Sequence, residues 1–252
     1  MVGKATVVGI AVLALCAVAS AVAIEAGPSS SAAATRAAGM SGSEATGARA
    51  DSADAPPPTY LPGVQRRLIP FGKRRKRQMA LYSKRHYGDF EWRLLAPRQI
   101  VLHMAEAPTT SSVYNTFAEN RALFGQSPGV CTHFVVGPRG GVVQFVGLRT
   151  RCRHVAGLNH VAIGIEHVGY GDGDLMGDRR QLRGSLHLVR RLRCLFDVRV
   201  RDVIGHNESL RSPYYRERVR SARGQTSADM RRASMRTYRR KLSRLAPCPE
   251  AP

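Results

Sequence analysis

Ile100-Val101-Leu102-His103 is a run of three apolar residues that stops on an imidazole, and its reading decides the fold. So short an apolar run predicts a buried strand ending at His103. Downstream, Thr132 to Val136 and Val142 to Val146 are two more such runs, separated by Gly137-Pro138-Arg139-Gly140-Gly141. That turn-rich spacer predicts a hairpin. Val161 to Glu166, rich in Val and Ile and interrupted by Gly164, predicts another strand. Tyr114 to Phe124 has helical character and is stopped by Gly125. Leu182, Leu186, Val189, Leu192 and Leu195 recur at three- and four-residue steps with arginines between them, the stripe of an amphipathic helix. Val198 to Ile204 alternates apolar and charged residues and delivers Gly205-His206. Strands and helices therefore interleave, which predicts an α/β class: one domain over residues 94–246 with a central mixed β-sheet flanked by helices.

The N-terminal region has a different character. Lys4 followed by the apolar or small stretch Thr6 to Ala19 and by Ala21-Val22-Ala23 reads as an export signal over residues 1–24. The alternative is an uncleaved membrane anchor through residues 5–24. Either way the chain is expected to be secreted or associated with the cell envelope. Cys16 follows Leu15, where a lipoprotein needs a small residue, so lipidation is not expected. Residues 25–65 are rich in Ala, Ser, Gly and Pro and predict a disordered linker. Residues 66–93, which open with Arg66, Arg67, Lys73, Arg74, Arg75, Lys76 and Arg77, read as a basic linker, and residues 247–252 as a C-terminal tail. Past the signal, Cys131, Cys152, Cys194 and Cys248 are an even set without CxxC spacing. They predict buried thiols or disulfides, with the pairing open.

Thirty-nine Lys and Arg against eighteen Asp and Glu give a formal charge of +21, which draws the protein to polyanions. A specific nucleic-acid binder would interleave aromatic residues with its basic runs to stack on bases. Aromatics make up only 6% of this chain, so no specific nucleic acid is expected. Behind an export signal, anionic cell-wall polymers are the expected partners of the basic segments.

Among eight histidines, His103 and His206 each close a strand and open into a loop, where sites in α/β sheets collect. Two imidazoles brought together in this way can hold a metal.

The run Ile100 to His103, the hairpin Thr132-His133-Phe134-Val135-Val136 with Gly140 and Gln144, the segment Arg153 to His160, the strand Ile163-Gly164-Ile165-Glu166, and Gly205-His206 followed by Thr226 to Asp229 come in an informative order. Together they resemble the zinc-dependent N-acetylmuramoyl-L-alanine amidase family, which also includes bacteriophage amidases and the animal peptidoglycan recognition proteins. The resemblance covers roughly Pro97 to Leu245. It implies a peptidoglycan hydrolase that cuts the amide between N-acetylmuramic acid and the L-alanine of the stem peptide, the alternative being a catalytically weak or inactive peptidoglycan recognition module of the same fold, with Zn2+ held by His103, His206 and Asp229. Three protein ligands leave a fourth position for water, whose pKa falls to about 7 beside zinc. Glu166 matches the family's acidic residue, either moving the proton from water to the departing amine or only orienting a histidine. His154 and Asn159 lie in the loop that borders the substrate groove in the family, which implies substrate contacts. His133 matches a structural position, and His160 and His167 receive no role. The sequence departs from the pattern where Ser227 replaces a Lys or His that helps hold the intermediate in many relatives, and where Thr132 replaces a Tyr. The longer, basic insertion Arg211 to Gln225 is expected to form a flap facing the substrate.

Overall fold

The computed structural model describes residues 58–248. The signal or anchor segment, residues 25–57 of the expected linker and the last four residues of the tail lie outside the described residues. Among the described residues no helix is long and apolar enough to cross a membrane.

Among the described residues six strands form one sheet: β1 (Gln65–Arg66), β2 (Gln99–Met104), β3 (Phe134–Val136), β4 (Val142–Gln144), β5 (Ala162–His167) and β6 (Val203–Gly205). Their order is β1-β4-β3-β5-β2-β6. Only the β3/β4 hairpin is antiparallel. The central strands β2 and β5 are buried along their whole length, as strands covered on both faces must be. One cluster of side chains joins Leu102, Phe134 and Ile165 to helices α4 (Arg179–Phe196) and α5 (Arg232–Leu242). A second packs Val135 and Phe145 against α2 (Thr110–Ala118). A short helix α3 (Asp172–Gly177) precedes α4.

Three expectations need correction. Residues 66–93 are not a linker, since they contain a 14-residue helix, α1 (Lys73–His86), and the end of the expected disordered segment is ordered too: Leu61 is buried, Thr59 O accepts from Leu148 N–H, and β1, starting at Gln65, adds to the sheet edge. Arg75, Met79, Tyr82, Ser83 and His86 of α1 are buried and share one helical face. Arg75 is buried without a carboxylate because its guanidinium donates to the carbonyls of Phe117 (2.7 Å) and Val130 (3.0 Å). Burial lowers its pKa to about 10. The second correction concerns Tyr114 to Phe124. The helix there starts earlier, on the Thr109/Ser112 capping box, and ends at Ala118, before Asn120 turns to positive φ. The third is that only the end of Val198 to Ile204 is strand. Asp202 accepts from Arg199 Nε at 2.7 Å, stabilising a turn of 3-10 helix over Val200–Asp202.

The cysteines pair as Cys131–Cys152 and Cys194–Cys248. The first ties the start of the hairpin to the loop before His154, and the second fastens the beginning of the C-terminal tail to α4.

Candidate active site

Parallel pairing of β2 with β5 sets His103 opposite Glu166. On the other side of β2, β6 ends at Gly205, so His206 emerges beside His103. Gly205 has a steric reason: a Cβ there would collide with the carbonyl oxygen of Met230. The missing side chain lets the chain after the insertion cross directly over the end of β6, which brings Asp229 to the histidine pair. Two clamps hold that crossing. Asn207 N–H donates to Asp229 O at 3.1 Å, and the Asp172 carboxylate accepts from Met230 N–H and Arg231 N–H at 2.6 and 2.8 Å.

His103 Nδ1 lies 3.1 Å from His206 Nδ1 and 3.8 Å from Asp229 Oδ2, while His206 Nδ1 lies 3.5 Å from Asp229 Oδ1. Three ligands bonded to one tetrahedral zinc stand about 3.3–3.6 Å apart, the edge set by bonds of roughly 2.0–2.2 Å. The separations of the two nitrogens from each other and from the Asp229 carboxylate, 3.1 to 3.8 Å, bracket that edge, each nitrogen being measured to a different oxygen. Asp229 Oδ2 accepts from Met104 N–H at 3.0 Å, whereas buried Oδ1 has no hydrogen-bond partner among the described residues. An orphaned anionic oxygen facing two imidazoles fits a cation.

The proton positions of the imidazoles follow from their partners. His154 Nε2 faces only the Ala162 carbonyl, at 3.3 Å, and so carries the hydrogen. Its Nδ1 accepts from His103 Nε2, 3.0 Å away. That leaves the Nδ1 lone pair of His103 turned toward His206 and Asp229. Burial, then the neighbouring His206 and His154, holds the pKa of His103 well below its ordinary value. Burial also lowers His206, against the pull of Asp229. Neutral imidazole is the metal-binding form.

Carboxyl groups collect on the same side. Glu166 is buried and its Oε2 has no partner among the described residues. Burial first, and then Asp229 and Glu106, raise its pKa well above the usual carboxylate range. Glu106 is raised by burial and by Asp229. On the side of His154 and His206 there is a small cavity of about 60 Å³, lined also by Tyr82, Phe124, Arg153 and Thr226, among others.

Four of the expected residues, His103, His206, Asp229 and Glu166, thus converge. His154 borders the opening, but both its ring nitrogens are engaged, so it orients His103 and has no free nitrogen for substrate. Asn159 corrects the expectation of a substrate contact. It is fully buried, its Oδ1 accepts from His154 N–H and Val155 N–H at 2.8 and 2.9 Å, and its Nδ2 donates to Tyr87 Oη. It shapes the loop from inside. Ser227 is buried too, and its Oγ accepts from Asp229 N–H at 3.4 Å. The insertion Arg211 to Gln225 is docked on α1, through Arg218 N–H on His86 O and a His86–Glu217 contact, both 2.9 Å. Only its end, Gln225, reaches the opening.

Two supporting residues, Asp172 and His167, were not legible as such from the sequence. His167 Nδ1 lies 2.8 Å from the His103 carbonyl, and its Nε2 2.7 Å from Ser185 Oγ. It fixes the backbone of His103 from behind. Nothing in their local patterns distinguishes either residue, because both act through backbone atoms of distant segments.

No curated protein matches the chain at a significant level. Among solved structures it is similar to the endolysin N-acetylmuramoyl-L-alanine amidase LysCS from Clostridium intestinale URNW, at 16% identity over 60% of this chain and 84% of that one, with a TM-score of 0.43. It is also similar to a mutant endolysin from Bacillus subtilis, at 19% identity over 57% and 83% with a TM-score of 0.39. PGRP-SA from Apis mellifera matches at 16% identity over 45% and 73%, with a TM-score of 0.36. The profile of the N-acetylmuramoyl-L-alanine amidase family matches residues 93–223, just over half of the 252. With His103, Glu166 and His206 inside that stretch and Asp229 folded back onto them from just beyond it, the chain belongs to the N-acetylmuramoyl-L-alanine amidase family and is a peptidoglycan amidase.

Proposed function

We propose that this amidase cuts the bond between N-acetylmuramic acid and the L-alanine of the stem peptide using a zinc ion held by His103, His206 and Asp229. The observation that carries the reading is the mutual spacing of the three donor atoms, all within 4.8 Å of one another. When bound, zinc supplies Lewis-acid polarisation of the scissile carbonyl and acidifies a neighbouring water. The chain's own groups do the rest. His154 keeps the proton of His103 on Nε2 and so leaves Nδ1 free to coordinate. Glu166, across the strand pair from His103, takes a proton from water as its hydroxyl joins the lactyl carbonyl carbon. It then delivers that proton to the alanine nitrogen as the C–N bond breaks. The products are a lactyl carboxylate on the glycan and a free peptide amine. Ser227 is a weaker donor than the Lys or His it replaces, and its hold on Asp229 N–H supports a role in fixing the third ligand.

Two disulfides support an oxidising compartment, in keeping with export by residues 1–24 as a cleaved signal or a retained anchor. The exposed arginines of α4 and α5 give the secreted or envelope-associated enzyme its attraction to anionic wall polymers.

Purified full-length protein is expected to release free amino ends from peptidoglycan without new reducing sugar ends. A chelator should abolish this and zinc restore it. New reducing ends instead of amines, or full activity after metal removal, would refute the reading.

A further inference from the structure

A second and much larger cavity, about 540 Å³, lies at the β1/β4 edge of the sheet. Its size is that of a ligand site, and its lining combines aromatic and aliphatic side chains with a few charged groups, the usual make-up of one. Tyr60, Phe71, Lys76, Trp92, Arg93 and Arg149 carry its character. Lys76 Nζ lies 4.4 Å from the Trp92 ring centroid and the Arg93 guanidinium 4.6 Å. Two cations are therefore gathered by one ring, whose negative face restrains their long side chains. Arg66 stands over Tyr60 at 5.2 Å in the same way. The opposing charge is small: Arg93 has Glu91 at 3.5 Å, while Lys76 and Arg149 have no ion pair among the described residues.

We infer that this groove is a binding site for an acidic saccharide: glycan from which the stem peptides have been removed. The inference rests on the amidase reading. Before cleavage the lactyl group is a neutral amide. Afterwards it is a carboxylate attached to a sugar whose C–H faces suit aromatic walls, and each cut creates one. A groove that pairs cations with aromatic rings selects that product over neutral chitin-like chains. The groove also lies within reach of the reaction. Arg149 and Thr150 line it, and His154 lines the opening beside His206, so four peptide units, at most about 14 Å of chain, lead from one cavity to the other. An enzyme holding stripped glycan at Trp92 keeps the neighbouring uncut stem at its active site.

Trp92 is the only tryptophan in the protein, so its fluorescence reports on this groove. Full-length protein is titrated with peptide-free glycan strands, with chitin oligomers of equal length, and with a glycerol-phosphate polymer as the other anionic wall chemistry. The expected result is saturable change in Trp92 emission with peptide-free glycan, at least tenfold tighter than with either control. Lys76→Gln with Arg93→Gln should weaken it tenfold or more. Arg236→Gln with Arg240→Gln, removing the same charge from exposed positions on α5, should leave it within twofold. Equal binding of chitin, preference for the phosphate polymer, or equal losses in both double variants would overturn the assignment. Amidase activity is scored separately on intact peptidoglycan: binding without activity leaves this site standing and removes the catalytic reading, and activity without binding does the reverse.

Discussion

The cavity beside His206 and the groove at Trp92 are built on opposite principles. Beside His206, room for little more than a water or two is lined by the buried imidazoles of His154 and His206, the Arg153 guanidinium and apolar groups, with the unpaired carboxyl oxygens of Glu166 and Asp229 buried around the histidine pair. At Trp92 the space is about ninefold larger by the two volumes, 540 against 60 Å³, and the charges are cations held on aromatic rings in partial contact with solvent. The difference separates chemistry from adhesion. A reacting centre gains from groups whose positions and protonation are fixed in advance in a dry setting. A site that grips a polymer needs area and charge, and its side chains can stay half wet.

The strongest way to sharpen that contrast is Glu166→Gln. The substitution keeps the shape and removes the proton shuttle, so turnover is expected to fall by about 10²- to 10⁴-fold. Zinc content and the Trp92 response to peptide-free glycan should not change. Retained turnover would reduce Glu166 to a packing residue and leave the reaction without its base.

A smaller effect is expected from His154→Leu, which fills similar space but ends the relay from Ala162 through His154 to His103. Second partners of metal-binding histidines are worth about 10- to 100-fold in metal affinity. A zinc titration of the variant measures this directly. If His154 served the substrate instead, KM would rise while zinc affinity stayed the same.

These cases also show what was legible in the sequence and why. Strands β2 and β5 and helix α4 were readable because their burial pattern is written in apolar side chains, and His103 and Glu166 came with them as strand-end residues. Helix α1 was not. Its buried face includes Arg75, Ser83 and His86, residue types that ordinarily signal solvent, so a folded helix read as a charged linker. The guanidiniums of Arg75 and Arg153 are buried because backbone carbonyls of the 117–130 segment accept their hydrogens, a fact of tertiary structure with no local signature. Asn159 misled for the same reason. A polar residue in a loop beside a site looks available to substrate, but here the loop's own N–H groups use it. The Trp92 groove was hidden because its lining comes from several separate stretches of chain, including the one mistaken for a linker.

Acid should divide the two regions by attacking only one. His133 Nδ1 accepts from Gly164 N–H at 3.0 Å and its Nε2 donates to the Thr150 carbonyl at 2.8 Å, so the ring is locked neutral between β5 and the loop that leads to His154. Burial pushes its pKa down to about 4. In the unfolded chain the same ring titrates near 6.5. Between those values the unfolded state binds the extra proton, so stability rises with pH there and is lost as pH falls from about 6.5 toward 4. By pH 5 this one group removes about 2 kcal/mol relative to neutral pH. His133→Asn retains an acceptor for Gly164 but leaves Thr150 O unpaired. It should therefore be somewhat less stable than wild type at pH 7, about 1 kcal/mol, with the gap closing as pH is lowered. Urea unfolding at pH 7, 6 and 5 measures the two slopes. While the protein remains folded, the Trp92 site should hold its ligand as the histidine scaffold weakens. Parallel slopes for wild type and variant would mean that His133 is not the group acid attacks.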